Sequence, residues 1–262
     1  MEQMPKGPDK APETRCVFDD LPDFRALPEA VRRDLAAICR LRSYAAGQTV
    51  AEAGAPSDVI GVVRDGILRL QKTLPDGRRH VVGLLAAGDM FGRLFDGPLH
   101  FPVEAATDAK VLTFRRTAFE AIVLRSTDLD RLMLRNLTND LERARAWMII
   151  LANPRVRGRL AGFLMLLCRR FQGIDPRVAA GGAAIRVRIP ISRPDLAHLL
   201  GTRVESISRA LHALADDGLI SILLPDLVEL RRIDALADEA GEPDLADPAL
   251  MTGLGTSRKA SG

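Results

Sequence analysis

Residues 191–220 constrain the fold most, because they predict two short amphipathic helices joined by a sharp turn. Ser192 or Asp195 can cap the first helix. Gly201 falls where that helix must end, a position that favours a residue tolerating positive φ. Thr202 can then cap the second helix. The pattern predicts a helix-turn-helix.

The predicted second helix has one apolar face and one polar face. Val204, Ile207 and Leu211 recur at helical spacing and are predicted to face the core. A plain pair of packed helices would share that spacing, but here the opposite face consists of side chains that can contact nucleic acid. These outward-facing residues are Arg203, Glu205, Ser208, Arg209 and His212. Helix-turn-helix units place the second helix in the DNA major groove, so DNA binding is the expected function.

The segments around this unit predict strands. Residues 219–224 and 227–230 are aliphatic runs on either side of Pro225-Asp226, which is a turn signal. Residues 184–190 alternate like a further strand ahead of the first helix. A helix-turn-helix followed by a β-hairpin is the pattern of a winged-helix DNA-binding domain.

The N-terminal half predicts a β-roll or sandwich, because short aliphatic runs alternate with turn signals. The runs lie at residue 50 and at residues 59–63, 66–70, 81–85 and 111–114. Asp76-Gly77 is a strong hairpin signal. Residues 28–40 predict a short helix packed on this roll.

A long helix is predicted over residues 128–153, where Asn153-Pro154 ends it. Its apolar residues alternate at spacings of three and four, which is the seam of a two-stranded coiled coil. The seam consists of Leu134, Leu137, Leu141, Ala144, Met148 and Leu151. A core stripe of a globular helix would show the same spacing, but a long helix between two domains has little of its own chain to pack against. We therefore expect a homodimer, with a further helix over residues 155–171 starting the next domain.

These features together resemble the CRP/FNR family of bacterial transcription regulators over roughly residues 40–240. In the FNR-like branch the recognition helix carries Glu, two residues and then Ser-Arg, and this chain has Glu205, Ser208 and Arg209 at those positions. The segments RSYAAGQTV, DGRRHVVGLL, FRRTAFE and ARAWMIIL are similar to FnrL-type members. The resemblance implies a half-site like TTGAT, in which Arg209 would bind the guanine, Glu205 a cytosine amine and Ser208 a thymine. RNA polymerase is a partner that the resemblance also implies.

The expected fold class is α+β, with an N-terminal cyclic-nucleotide-binding-like β-roll, a long dimerisation helix and a C-terminal winged helix-turn-helix. The expected boundaries are residues 1–20 for a flexible segment, 21–126 for the roll, 127–153 for the dimerisation helix, 154–240 for the DNA-binding domain and 241–262 for a disordered tail. A dimer with two recognition helices predicts a palindromic site such as TTGAT-N4-ATCAA in double-stranded DNA. Contacts to the DNA backbone are expected from Ser192, Arg193, Thr202, Arg203 and His212.

Neither familiar effector of this family fits the sequence. Cyclic-AMP-binding members carry Gly-Glu-Leu and Arg-Ser around the nucleotide, where this chain has Arg93 and Leu99-His100. Without that arginine the cyclic phosphate would lose its charge-assisted hydrogen bonds. An FNR-type [4Fe–4S] cluster needs four thiolates, whereas the chain has three cysteines, Cys16, Cys39 and Cys168. We expect no cofactor, and a FixK- or FnrL-like regulator that lacks the FNR cysteine cluster, with Cys168 a buried core thiol.

Other functional classes find less support. No apolar run of about 18 residues predicts a membrane helix, and the N-terminal residues lack the apolar stretch of a signal peptide, so a cytoplasmic protein without membrane contact is expected. A metal-dependent β-roll enzyme needs clustered histidines, and the roll has only His80 and His100, so we expect no metal site and no enzyme. A small-ligand-responsive CRP-like regulator with a different half-site is the main alternative. Control of oxygen-responsive, anaerobic or photosynthetic genes is implied only by the resemblance.

Overall fold

The computed structural model describes residues 18–54, 58–73, 79–95, 97–170 and 185–242. It divides into two compact units, the first ending at Glu142 and the second beginning at Arg143. Most of the predicted N-terminal segment and of the predicted tail lies outside the described residues, and so does the Asp76-Gly77 turn.

The first unit contains the predicted roll, built in its described residues from two four-stranded antiparallel sheets. The strands are β1 (Cys39–Tyr44), β2 (Thr49–Ala51), β3 (Val59–Asp65), β4 (Leu68–Thr73), β5 (Arg79–Leu85), β6 (Met90–Phe91), β7 (Val103–Ala105) and β8 (Ala109–Arg115). One sheet has the order β1-β8-β3-β6 and the other the order β2-β7-β4-β5. β4 pairs with β5, as the hairpin signal predicts. β6 and β7, of two and three residues, are too short to show a sequence pattern.

Apolar side chains fill the interior of the roll. Val63 and Val111 from one sheet belong to the same buried cluster as Leu68 and Val103 from the other. Phe91 lies in this cluster, directly over the α-carbon of Gly61: a Cβ added to Gly61 would lie 2.1 Å from Cζ of Phe91. The absence of a side chain on β3 is therefore what admits the phenyl ring of β6.

Three short helices and the start of a long one form a second core on the other face of the β1-β8-β3-β6 sheet. They are α1 (Pro22–Arg25), α2 (Glu29–Ile38), α3 (Arg116–Val123) and α4 (Thr127–Ala152). Phe24, Leu35, Phe119 and Leu132 pack there with Phe114 of β8.

The helix predicted over residues 28–40 is too long at its C-terminal end. Cys39 and Arg40 belong to β1, where they pair with Phe114 and Thr113 of β8. The hydrogen bonds of the sheet therefore extend the backbone at a point where the local sequence is compatible with a helix.

α4 confirms the predicted long helix and leaves its apolar seam uncovered. Leu134, Leu137 and Met148 are 57%, 64% and 63% exposed, whereas Leu132 of the same helix is fully buried. The remaining seam residues, Leu141, Ala144 and Leu151, are also exposed. The described part of the chain therefore provides no core for this stripe.

The second unit begins in the last turns of α4 and contains the predicted winged helix. Its elements are α5 (Val156–Arg170), β9 (Ile185–Arg188), α6 (Arg193–Leu199), α7 (Val204–Asp216), β10 (Ile220–Leu224), β11 (Leu227–Leu230) and α8 (Ile233–Ala240). β10, β11 and β9 form one antiparallel sheet in that order. Cys168 is buried in α5, as predicted.

Gly61→Ala tests the packing of the roll. The added methyl cannot avoid the ring of Phe91, so we expect a loss of about 1–3 kcal/mol in the free energy of unfolding, typical of overpacking. Urea denaturation followed by circular dichroism measures it. Gly83→Ala is the matched control, because its Cβ would meet Leu70 Cδ1 at an ordinary 3.4 Å. Equal stability of the two variants would contradict the packing described.

Candidate DNA-binding interface

The first helix of the helix-turn-helix, α6, is fixed at its start by Ser192. The Ser192 hydroxyl accepts a hydrogen bond from the backbone N–H of Asp195 at 3.2 Å and donates one to the Asp195 carboxylate at 2.7 Å. The first of these bonds satisfies a donor that the helix leaves free at its N-terminus. Of the two caps that the sequence allows, the structure therefore uses Ser192.

The turn between α6 and α7 requires its glycine. Gly201 has a φ of +61°, in the left-handed region that costs a residue with a Cβ. The N–H of Thr202 still donates to the carbonyl of Ala197, at 2.8 Å, and so closes the end of α6. The prediction that Thr202 caps α7 is therefore wrong. Arg203 holds the cap position, without a side-chain hydrogen bond.

The rotation of α7 about its axis is set by a buried row. Ile207, Leu211 and Leu214 are almost fully buried. Val204 was predicted to join them, and this prediction is wrong, because its side chain is 37% exposed. It lies in line with Ile207, but it is the first residue of the helix and no earlier helical turn covers it.

The residues predicted to contact bases share the exposed face of α7. Glu205, Ser208 and Arg209 are all exposed, at positions one turn apart along the helix. Nη2 of Arg209 lies 3.4 Å from the hydroxyl oxygen of Ser206 on the same helix. Val204 stands on the same exposed surface and extends it toward the start of the helix. Sequence periodicity missed it, and its position directly after the cap is the signal that could have found it.

His212 is tied to its own helix through one ring nitrogen. Nδ1 lies 2.8 Å from the carbonyl oxygen of Ser208, and a carbonyl can only accept a hydrogen bond, so Nδ1 carries the hydrogen. Nε2 is then the nitrogen left for DNA. In the neutral ring it is an acceptor, so a contact with a phosphate requires the charged imidazolium.

Arg193, predicted to contact the DNA backbone, is bonded to the wing. Its guanidinium donates to the carbonyl of Pro225 in the β10–β11 turn and is half-buried. Burial lowers the pKa of Arg193, and the nearby charge of Asp226 opposes this effect. The N–H of Ile189 also donates to the Asp226 carbonyl, at 2.7 Å. These bonds hold the wing turn against the start of α6, so any contact of Arg193 with a phosphate would have to share its guanidinium.

The wing sheet carries arginines that are partly neutralised. The Glu229 carboxylate, on β11, lies 3.2 Å from Nε of Arg186 and 2.5 Å from Nη2 of Arg231. Arg188 pairs with Asp226. The positive charge available to DNA from this sheet is therefore smaller than the number of its arginines.

The roll positions that hold a cyclic nucleotide in related proteins carry a different set of groups here. Arg93 donates from Nη1 to Nε2 of His100 at 3.1 Å, and both side chains are exposed. Phe91, two residues before Arg93 in the sequence, packs its phenyl ring in the interior of the roll. Arg93 stands where cyclic-AMP-binding members have the Glu of Gly-Glu-Leu, and Leu99-His100 stands where they have Arg-Ser.

The two cysteines in the described residues, Cys39 and Cys168, are both buried. Burial raises the pKa of the Cys39 thiol to about 12, against the opposing charge of Arg64, so the thiol stays protonated near neutral pH. Thiolates, not thiols, bind metal. Cys168 is buried in α5. Across the parts of the chain that the structure describes, no three His, Cys, Asp or Glu side chains are grouped so that they could hold a metal ion.

The described helices also include none that is both long enough and apolar enough to cross a bilayer. A β-roll joined by a long helix to a winged helix-turn-helix, with a polar recognition face, defines a DNA-binding regulator. Comparisons with known proteins agree with this class. Residues 41–126 match the family described as cyclic nucleotide-binding domain, and residues 158–239 match the Crp-like helix-turn-helix domain.

Similarity to individual proteins narrows the family to one branch. It is 33% identical over 201 residues to the transcriptional activator protein FnrL of Cereibacter sphaeroides, covering 77% of this chain and 80% of that protein. It is 29% identical over 214 residues to the nitrogen fixation regulation protein FixK of Bradyrhizobium diazoefficiens, covering 81% and 88%. The solved structure of FixK2 from Bradyrhizobium japonicum aligns with a TM-score of 0.66 at 27% identity, over 77% of this chain and 96% of that one. The chain therefore belongs to the CRP/FNR family of transcriptional regulators, in the FixK- and FnrL-like branch.

Proposed function

We propose that this regulator binds as a homodimer to an FNR-like palindrome, TTGAT-N4-ATCAA. The observation that carries the proposal is the exposed face of α7, where Glu205, Ser208 and Arg209 lie together above the buried row. Two homologues favour the same class, because both are regulators rather than enzymes. They are the transcriptional activator FnrL and the nitrogen fixation regulator FixK. Activation of transcription through contact with RNA polymerase is part of this proposal.

The chemistry of each side chain suits one base of the half-site. Arg209 can donate two hydrogen bonds to O6 and N7 of the guanine, and Glu205 can accept from the amine of a cytosine. Ser208 has the size and polarity to contact a thymine. Val204 adds an exposed branched methyl group that can pack on the C5-methyl of a thymine. Ser192, Arg203 and Thr202 flank this face and are proposed to contact phosphates, together with charged His212 and the shared guanidinium of Arg193.

The uncovered seam of α4 supports the proposed dimer. Fully burying a leucine stabilises a structure by about 1.5–3 kcal/mol relative to leaving it in water. A second copy of the same helix offers the complementary row for Leu134, Leu137, Leu141 and Met148, and the exposed Ala144 allows close approach. Two recognition helices related by a two-fold axis then require a palindrome, with half-sites about one DNA turn apart.

We further propose that DNA binding needs neither cyclic AMP nor an iron–sulfur cluster. The pairing of Arg93 with His100, the packing of Phe91 and the raised pKa of Cys39 support this. The regulator would then be competent in air without a ligand, and its abundance would set its activity. Oxygen-responsive, anaerobic or photosynthetic genes are the proposed targets, on the strength of the FnrL and FixK relationship.

The second candidate is a CRP-like regulator that answers to a small ligand and reads a different half-site. Exposed Arg93 favours it to a limited extent, because a guanidinium on a loop of the roll can bind an anion other than a cyclic nucleotide. A metal-dependent enzyme on the roll has less support, because its described histidines, His80 and His100, belong to no metal-binding group.

DNA binding by the aerobically purified protein tests the proposal directly. Fluorescence anisotropy with a duplex carrying TTGAT-N4-ATCAA, without added ligand or metal, should give affinity in the nanomolar range of specific complexes, roughly a thousandfold or more above that for a scrambled duplex. Tight binding only after a small molecule is added would favour the second candidate. Binding to another palindrome in preference to this one would contradict the half-site assignment.

Arg209→Ala tests the base contact. The variant should lose about 1–3 kcal/mol of binding free energy per half-site and should no longer discriminate at the guanine of TTGAT. The measurement is a set of affinities for duplexes substituted at each half-site position. Arg40→Ala, in the β1 strand of the first unit, is the control and should keep the wild-type profile. A uniform loss across all the duplexes would instead assign Arg209 to the backbone.

Leu141→Glu tests the dimer. In a parallel pair the same position meets itself across the axis, so the substitution places two like charges in the seam and should yield a monomer at micromolar concentration. Analytical ultracentrifugation measures the mass, and the monomer should bind the palindrome far more weakly. Leu124→Glu changes another exposed leucine, 77% exposed but off the seam, and should stay dimeric. A dimeric Leu141→Glu protein would place the interface elsewhere.

A further inference from the structure

Arg159 lies against the turn of the helix-turn-helix, although it belongs to a different helix. It is the fourth residue of α5, which packs against α7. A Cβ built on Gly201 would lie 3.6 Å from Nη1 of Arg159, so the guanidinium touches the turn. The side chain is half-buried. No local pattern in the sequence singles out Arg159, because its contact with Gly201 joins positions that are far apart in the chain.

Arg159 lacks a neutralising charge among the residues that the structure describes. Its guanidinium has no acidic partner within the described residues, and its Nε is buried without a hydrogen bond. The neighbouring Arg157 is different, since it lies 2.5 Å from the Asp217 carboxylate and 3.2 Å from that of Glu239. The fold thus supplies acids to one arginine of this helical turn and none to the other.

The location of Arg159 makes the missing partner costly. The first turn of α5 contains no acidic residue, and a cation near a helix N-terminus is opposed by the helix dipole. A half-buried, unpaired donor also loses hydrogen bonds to water that nothing replaces. An anion arriving from outside the protein would offset the unfavourable charge by binding the terminal nitrogens of the guanidinium.

DNA brings such an anion to this place. When the start of α7 enters the major groove, the turn just before it lies at the rim of the groove, where the phosphates run. We propose that Arg159 is a further DNA-binding residue, whose guanidinium takes a backbone phosphate beside Gly201. The planar fork of donors on arginine matches the oxygens of a phosphate. This inference rests on the proposed DNA-binding mode and adds a contact from outside the helix-turn-helix itself.

A phosphate contact has a signature that a purely structural role lacks. It weakens binding to every sequence by a similar factor, and its loss lowers the slope of log affinity against log salt by about 0.9 for each phosphate. For a dimer with two copies of the residue, the expected decrease in slope is about 1.8. An arginine that only supported the turn would change stability and leave the slope as it was.

The experiment compares full-length wild type with Arg159→Gln, Arg159→Met and Arg159→Lys, by anisotropy from about 50 to 200 mM KCl. The palindrome and the scrambled duplex are both used. The Gln and Met variants should lose roughly tenfold in affinity on both duplexes and show the lower slope, whereas Lys should retain most of the slope. Met keeps the bulk of the aliphatic stem, so it carries the test if the Gln variant does not fold. Thermal melting measures the folding of each protein.

Arg231→Gln is the matched control, because this arginine of the same unit is already paired with Glu229 at 2.5 Å. Its slope should equal that of the wild type. A wild-type slope in folded Arg159→Gln or Arg159→Met protein would overturn the assignment, whatever the change in affinity. If the wild type shows no preference for the palindrome, the proposed half-site fails, but the slope on the scrambled duplex still decides the role of Arg159.

Discussion

The packing of one face of α7 determines which side chains of this helix are exposed. Ile207, Leu211 and Leu214 are buried beneath the helix, and they determine its rotation because residues three and four apart share a face. A rotation by a single residue, about 100°, would turn Arg209 toward the interior and bring Ile207 to the surface. The proposed base contacts of Glu205, Ser208 and Arg209 therefore depend on buried residues that would not touch DNA themselves.

Much of this arrangement can be predicted from the sequence, because it depends on local periodicity. The glycine turn, the wing strands and the long helix each have a pattern of their own. Thr202 and Val204 lie at helix ends, where spacing alone does not decide which residue starts the helix or whether its side chain is covered. The prediction that Cys39 and Arg40 are helical is wrong for another reason. The strand they form depends on pairing with residues more than seventy positions later.

The sites could be predicted to different extents. Glu205, Ser208 and Arg209 follow from one helix and a family motif, so the sequence suffices to bring them together. The hydrogen bond from Arg193 to Pro225 and the contact of Arg159 with Gly201 join distant segments of the chain. No spacing of residues in the sequence predicts them. The same holds in the roll, where Phe91 of β6 covers Gly61 of β3 through the pairing of two strands. Residues that share one helix or strand can therefore be predicted from sequence spacing, whereas contacts between different elements cannot.

Asn153, at the end of α4, links three parts of the second unit through one side-chain amide. Its Nδ2 donates to the carbonyl of Ala240, at 3.0 Å, and its Oδ1 accepts from the N–H of Arg155 at 2.9 Å. The last turn of α4, the entry to α5 and the end of α8 consequently share one small hydrogen-bonding group. Any bending at this junction must stretch bonds to the C-terminal helix as well. A change in the angle between α4 and α5 would therefore be opposed by α8, through the hydrogen bond between Asn153 and Ala240.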